Sequence, residues 1–150
     1  MVSDEQMTAF VHQTLTDAGF VAEMREHVVR IEGAGVGLGD HSVDVDVQTV
    51  LIEGVRIVLL SSLLRTQPGT FEAASLACAR GNGACAISKF SIVELPAGEG
   101  HSLFRLRASL ALFAGHLSAE EFARMTWLFV RETDGIDNEL ADIMAASGGA

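Results

Sequence analysis

The sequence predicts an α+β domain: one antiparallel sheet of about five strands with helices packed on one face, in the order α-β-β-β-α-β-β-α. Three observations lead there. Residues 43–51 alternate apolar and polar with a period of two, which marks a half-buried strand. Residues 4–18 and the stretch after Ser118 carry apolar side chains at helical spacing. The strand-like segments are joined by hairpin-length turns, so neighbours pair antiparallel. At 150 residues and 49% apolar content, with no repeat or long linker, positions 1–150 read as a single domain around one core.

Each element has its own signal. Ser3-Asp4-Glu5-Gln6 has the form of a capping box, and Met7, Phe10, Val11, Leu15 and Ala18 follow on one helical stripe that Gly19 closes. Val28–Glu32 reads as a short strand, followed by a glycine-rich turn over 33–40. Val43, Val45, Val47, Thr49 and Leu51 then point one way, with Asp44 and Asp46 on the solvent side. After the Glu53-Gly54 turn, Val55–Leu64 is apolar on both faces: Val55, Ile57, Leu59 and Leu63 on one, Val58, Leu60 and Leu64 on the other. Such a strand is central and needs cover on both sides, from its own chain or from a partner.

Gln67-Pro68-Gly69 interrupts the sheet, and Thr70 caps a helix expected to run to about Arg80 and to end at Gly81-Asn82-Gly83. Ala86–Leu95 and Leu103–Phe113 form a hairpin about Pro96–Gly100. In its second arm Phe104, Leu106, Ala108, Leu110 and Leu112 face inward, while Arg105, Arg107 and Ser109 face outward. Ser118-Ala119-Glu120-Glu121 caps a long last helix, with a break expected near Asp134-Gly135.

Charge and motifs narrow the function. Twenty acids against ten bases give a net charge of −10, and Lys89 is the single lysine. A chain this acidic has no electrostatic hold on phosphate backbones or anionic lipid, so neither nucleic acid nor membrane is an expected partner. Residues 1–54 hold ten acids and two bases, whereas 55–115 hold three acids and six bases. Arg105 and Arg107 either face Asp44 and Asp46 across the open side of the sheet, or face a second subunit, or are ordinary screened surface charge. Gly33, Gly35, Gly37 and Gly39 miss the G-x-G-x-x-G frame and lead into a strand rather than a helix, which excludes a dinucleotide site. The five histidines have no metal-ligand spacing, and His41 with Asp40, Asp44 and Asp46 reads as a solvated turn. Ser61-Ser62 reads as a packed pair without a base beside it. Cys78 and Cys85 read as buried, inert thiols, a bridge under oxidation remaining open. No cofactor, metal or catalytic residue is expected, and the lack of a leader-like or membrane-length apolar segment points to the cytoplasm.

Several stretches resemble the type III secretion chaperone-like fold, in particular its YbjN-like branch. They are the apolar strand Val55–Leu64, the helix Phe71–Arg80 with Asn82 after it, the strand around Lys89-Phe90-Ser91-Ile92, and Leu106–Leu112 followed by Leu117-Ser118-Ala119-Glu120-Glu121-Phe122. The resemblance covers Val43 to about Leu140. It implies a non-enzymatic bacterial homodimer that binds other polypeptides, as secretion chaperones of this fold do with extended effector segments, or that serves as a chaperone-like regulator or adaptor.

The residues themselves lead to a compatible expectation. More apolar surface is on offer than three helices cover, so a second copy or an unidentified client chain is expected to complete it. The nominated partner-binding residues are Val55, Ile57, Leu59, Phe71, Leu76, Arg105 and Arg107, with the dimer formed through the middle helix and central strands. The alternative is a small-molecule sensory domain with an apolar pocket between the sheet and the last helix, lined by Trp127 and Phe129.

Overall fold

The computed structural model describes residues 3–32, 42–50 and 55–148. Helix α1 (Asp4–Asp17) starts on the capping box read from the sequence: the Ser3 hydroxyl accepts from the Gln6 amide at 3.1 Å, and the Gln6 side chain accepts from the Ser3 amide at 2.8 Å. Such a cap contributes about 1 kcal/mol. Four strands follow, β1 (Val21–Arg25), β2 (Val28–Glu32), β3 (Ser42–Val50) and β4 (Val55–Leu63), then α2 (Phe71–Ala84), the hairpin β5 (Lys89–Pro96) and β6 (Ser102–Phe113), a single 3₁₀ turn, and α3 (Ala119–Gly148). The glycine run at 33–39, His41 and the Glu53-Gly54 turn lie outside the described residues.

The sheet has six strands in the order β1-β2-β3-β4-β6-β5, every pair antiparallel. The expected α+β class and one-sided helical layer hold, with one strand more than expected. Strand β1 escaped because it lacks the alternating signal: it is an edge strand, and all of its residues but Ala22 are exposed. The turn joining it to β2 uses Glu26 at φ 54°, a left-handed position held by glutamate where glycine is usual.

Strand alternation sends one set of side chains into the core. Val29 and Ile31 of β2, Val43 and Val45 of β3, Val58 and Leu60 of β4, and Leu106 and Ala108 of β6 are fully buried. Over them lie Val11 and Leu15 of α1, Ala74 and Ala77 of α2, and Phe122, Phe129 and Leu140 of α3. Phe20 stacks on Trp127 with ring centroids 5.3 Å apart, tying the end of α1 to α3.

Two helices differ from their expected limits. α3 runs unbroken through Gly135, because Val130 and Thr133 before it and Ile136, Asp137 and Leu140 after it are buried on one continuous face. That packing outweighs the roughly 1 kcal/mol a mid-helix glycine costs. α2 continues past Arg80 to Ala84 because its glycine is a packing device rather than a stop. A Cβ on Gly81 would lie 2.7 Å from the Phe90 ring. At the next residue, the Asn82 side chain clasps the start of β5: its carbonyl accepts from the Phe90 amide at 2.7 Å and its amide donates to the Phe90 carbonyl at 3.0 Å.

Carboxylates of α3 hold the links between layers. Glu132 accepts the amides of Ala86, Ile87 and Ser88 at 2.5, 3.2 and 2.9 Å and the Ser88 hydroxyl at 2.8 Å. Burial alone would raise its pKa, but these donors outweigh it and the value falls below 4.5. Asp137, its side chain 1% exposed, accepts from the Thr66 amide at 2.9 Å and from Arg65 Nε at 3.1 Å, pinning the chain leaving β4.

Two predictions follow from this packing. Gly81→Ala drives a methyl into Phe90 at an overpacking cost of about 1–3 kcal/mol, against up to about 1 kcal/mol of helix propensity regained. Urea denaturation is expected to show a net loss, whereas Gly83→Ala, with open space at its Cβ, is neutral or stabilising. Because the Glu132 pKa is lowered in the folded state, its contribution is fully present above the unfolded carboxylate value and disappears as pH falls through the lower folded value. Glu132→Gln is therefore expected to lower stability at pH 7 and to flatten the loss of stability below about pH 4.5, read as melting temperature against pH.

Candidate functional site, the uncovered face of the sheet

All three helices lie on one side of the sheet, so the second set of strand side chains faces outward with nothing over it among the described residues. On β4 this set is Val55, Ile57, Leu59, Ser61 and Leu63; on β6 it is Arg105, Arg107, Ser109, Ala111 and Phe113. Antiparallel register places Ile57 opposite Phe113, Leu59 opposite Ala111 and Leu63 opposite Arg107. The result is an apolar stripe along the two central strands. Ile57 and Leu59 are half-buried by their neighbours, Leu63 is 38% exposed and Phe113 is 70% exposed.

The stripe ends in a charged hollow of about 300 Å³, where Arg30, Arg65, Arg105 and Arg107 outnumber the one carboxylate of the lining, Asp44, and Ser42, Ser61, Ser62 and Leu63 complete the wall. β2 supplies Arg30, whose guanidinium grips Asp44 of β3 with Nε–Oδ1 at 2.8 Å and Nη2–Oδ2 at 3.4 Å. That contact and the Asp44 charge raise the Arg30 pKa above its ordinary value. Arg65 is held by Asp137. Arg105 donates through Nε at 3.1 Å and through Nη2 to the Leu64 carbonyl. Arg107 is exposed and makes no ion pair or hydrogen bond among the described residues.

The nominated residues divide between two surfaces. Val55, Ile57, Leu59, Arg105 and Arg107 share the uncovered face, as strand parity requires. Phe71 and Leu76 are exposed by 53% and 46% but lie on α2, in the helical layer, where Phe71 meets Phe104 edge-on at 5.7 Å. The expected pairing of Arg105 with Asp44 is not made. Arg30, one strand closer in the register, takes that carboxylate, and Arg105 turns to a backbone carbonyl instead.

Sequence reasoning missed four members of the site. Phe113 and Leu63 follow from the same parity that placed Arg107 and Ile57, and Arg30 stands between Val28 and Glu32 on the outward side of β2. Only Arg65, beyond the last β4 residue, had no periodic signal. Ser62 is buried and bonds the Ser42 carbonyl at 2.8 Å, whereas its neighbour Ser61 faces the hollow. Cys78 and Cys85 are free thiols. Burial raises both pKa values, and for Cys85, near Glu132 and Glu139, the value reaches about 11. Such thiols are poor nucleophiles.

Among the described residues no group of three or more His, Cys, Asp or Glu is placed to hold a metal. No helix among them is long and apolar enough to cross a membrane. The space between sheet and α3, where an apolar ligand pocket was the alternative expectation, is occupied by Phe122 and Phe129, both fully buried.

No family model matches the chain, and no curated protein matches it. Among solved structures, the chain is similar to the crystal structure of YbjN, a "putative transcription regulator from E. coli". The superposition has a TM-score of 0.60 and covers 95% of this chain and 93% of that one, at 13% sequence identity. At that identity the likeness concerns the fold alone, and on it and the strand order the chain has a YbjN-like fold.

Proposed function

We propose that this chain is a non-catalytic regulatory adaptor of the cytoplasm, working as a homodimer that holds a partner polypeptide on the uncovered face of its sheet. The observation that carries the reading is the apolar stripe of Ile57, Leu59, Leu63, Ala111 and Phe113, which no helix covers among the described residues. Withdrawing each 100 Å² or so of such surface from water contributes about 2.5 kcal/mol. A polypeptide laid along it gains that term while keeping its backbone polar groups at the solvent side. The second copy is assigned to α2, where Phe71 and Leu76 present a separate exposed apolar surface. The description of the YbjN neighbour as a regulator agrees with a role in binding.

Crosslinked pulldown from the native cell, with light scattering on the purified protein, tests this. The wild type is expected to recover a specific partner and to scatter as a dimer at tens of micromolar. Phe113→Asp, at a site exposed enough to leave folding intact, is expected to lose the partner and remain dimeric. Phe71→Glu with Leu76→Glu is expected to give a monomer. Recovery of the same partner by Phe113→Asp, with circular dichroism unchanged, overturns the assignment of the sheet face. A monomeric wild type overturns the dimer.

A further inference from the structure

We propose that the arginine-lined hollow anchors the side-chain carboxylate of an extended, acidic and apolar polypeptide segment whose remaining residues lie on the stripe. This rests on the reading of the sheet face as a polypeptide site and adds to it the charge of the guest and its placement. Four of the chain's nine arginines line this one hollow, in a protein of net charge −10. They converge from three places in the sequence: β2, the residue group after β4, and β6.

The charge balance selects the guest. Asp44 neutralises Arg30 through a two-point contact, and Asp137 neutralises Arg65. Arg105 bonds only a neutral carbonyl, and Arg107 has no ion pair or hydrogen bond among the described residues. Among the described residues, two positive charges therefore face the hollow without a counter-charge of their own. The Leu64 carbonyl fixes the Arg105 guanidinium, so little side-chain freedom remains to be lost when its other N–H groups are used. Guanidinium groups match carboxylates in geometry and form charge-assisted bonds roughly twice as strong as neutral ones.

The hollow is continuous with the stripe through Leu63, which lines it and shares a face with Leu59 and Ile57. Alternate residues on a strand are about 7 Å apart, so Leu59 to Leu63 spans about four residues of an extended guest. A guest with apolar side chains at alternate positions and an acid at the Leu63 end satisfies both parts of the surface. A free oxyanion satisfies only the hollow.

Fluorescence anisotropy on the full chain separates these cases. The probes are a labelled peptide of alternating leucine and serine ending in two glutamates, and its twin ending in two glutamines. The wild type is expected to bind the acidic peptide about tenfold more tightly than the twin. Arg107→Gln is expected to reduce that preference to about threefold or less, and added salt to narrow it further. Equal affinity for the two peptides overturns the anchor while leaving polypeptide binding on the stripe in place. An acid preference that survives Arg107→Gln overturns its location. Failure of both peptides to bind, with inorganic phosphate alone shifting the melting temperature, overturns the polypeptide guest as well.

Discussion

Strand β4 is the constraint on which the other elements depend. It pairs with β3 on one side and β6 on the other, and it is apolar on both faces. Its inward residues Val58, Leu60 and, just beyond the strand, Leu64 are fully buried beneath the helices. Among the described residues, its outward Ile57, Leu59 and Leu63 receive cover only from neighbours in the sheet. A chain of this size has three helices to place, and all three go to one side. The hydrophobic effect that closes the core therefore leaves an apolar stripe on the other side, and the uncovered face follows from the same sequence that makes the core.

Holding three helices on one face requires the links between them and the sheet to be fixed, and much of that work falls to carboxylates. Glu132 gathers three consecutive amides where α2 passes into β5, and Asp137 gathers the Thr66 amide and Arg65 where β4 ends. Both sit on α3, so one helix locks both ends of the α2 excursion. Asn82 completes the lock by substituting for a strand neighbour at Phe90. The consequence for the site is direct: Asp137 is also what holds Arg65 at the rim of the hollow.

Much of this was legible in the residues. Period-two alternation in 43–47 and 104–110 and the two-faced apolarity of 55–64 gave the sheet and its orientation, and the box at Ser3 and the hydroxyl of Thr70 marked helix starts that the structure shows hydrogen-bonded. What failed to show were features decided by tertiary contact. Strand β1 (Val21-Ala22-Glu23-Met24-Arg25) is short, exposed and without alternation, so only its pairing with β2 defines it. Gly81 and Gly135 read locally as breaks, but burial around them carries both helices onward. Phe71 and Leu76 were grouped with the strand residues because the sequence does not say on which side of the sheet α2 packs. Arg30 carries no local signal because its partner Asp44 is 14 residues away in sequence and comes opposite it only once β2 and β3 are paired.

The excess of acids in this chain raises a difficulty for any acidic guest, since a net charge of −10 repels it at long range. At physiological ionic strength the screening length is about 8 Å, so charges on the far side of the helical layer contribute little at the uncovered face. What a guest meets there is the local lining, and locally the balance is reversed. Arg105 and Arg107 stand at adjacent outward positions of one strand, flanked by arginines whose charge is already matched. Positions i and i+2 of one strand are about 7 Å apart, within the screening length, so the two guanidinium charges raise the local positive potential together. The Leu64 carbonyl orients Arg105 without cancelling its charge, and a carboxylate arriving at the hollow would meet both guanidinium groups. A carboxylate bound there would stabilise the folded chain in proportion to its occupancy, as any ligand selective for the native state does.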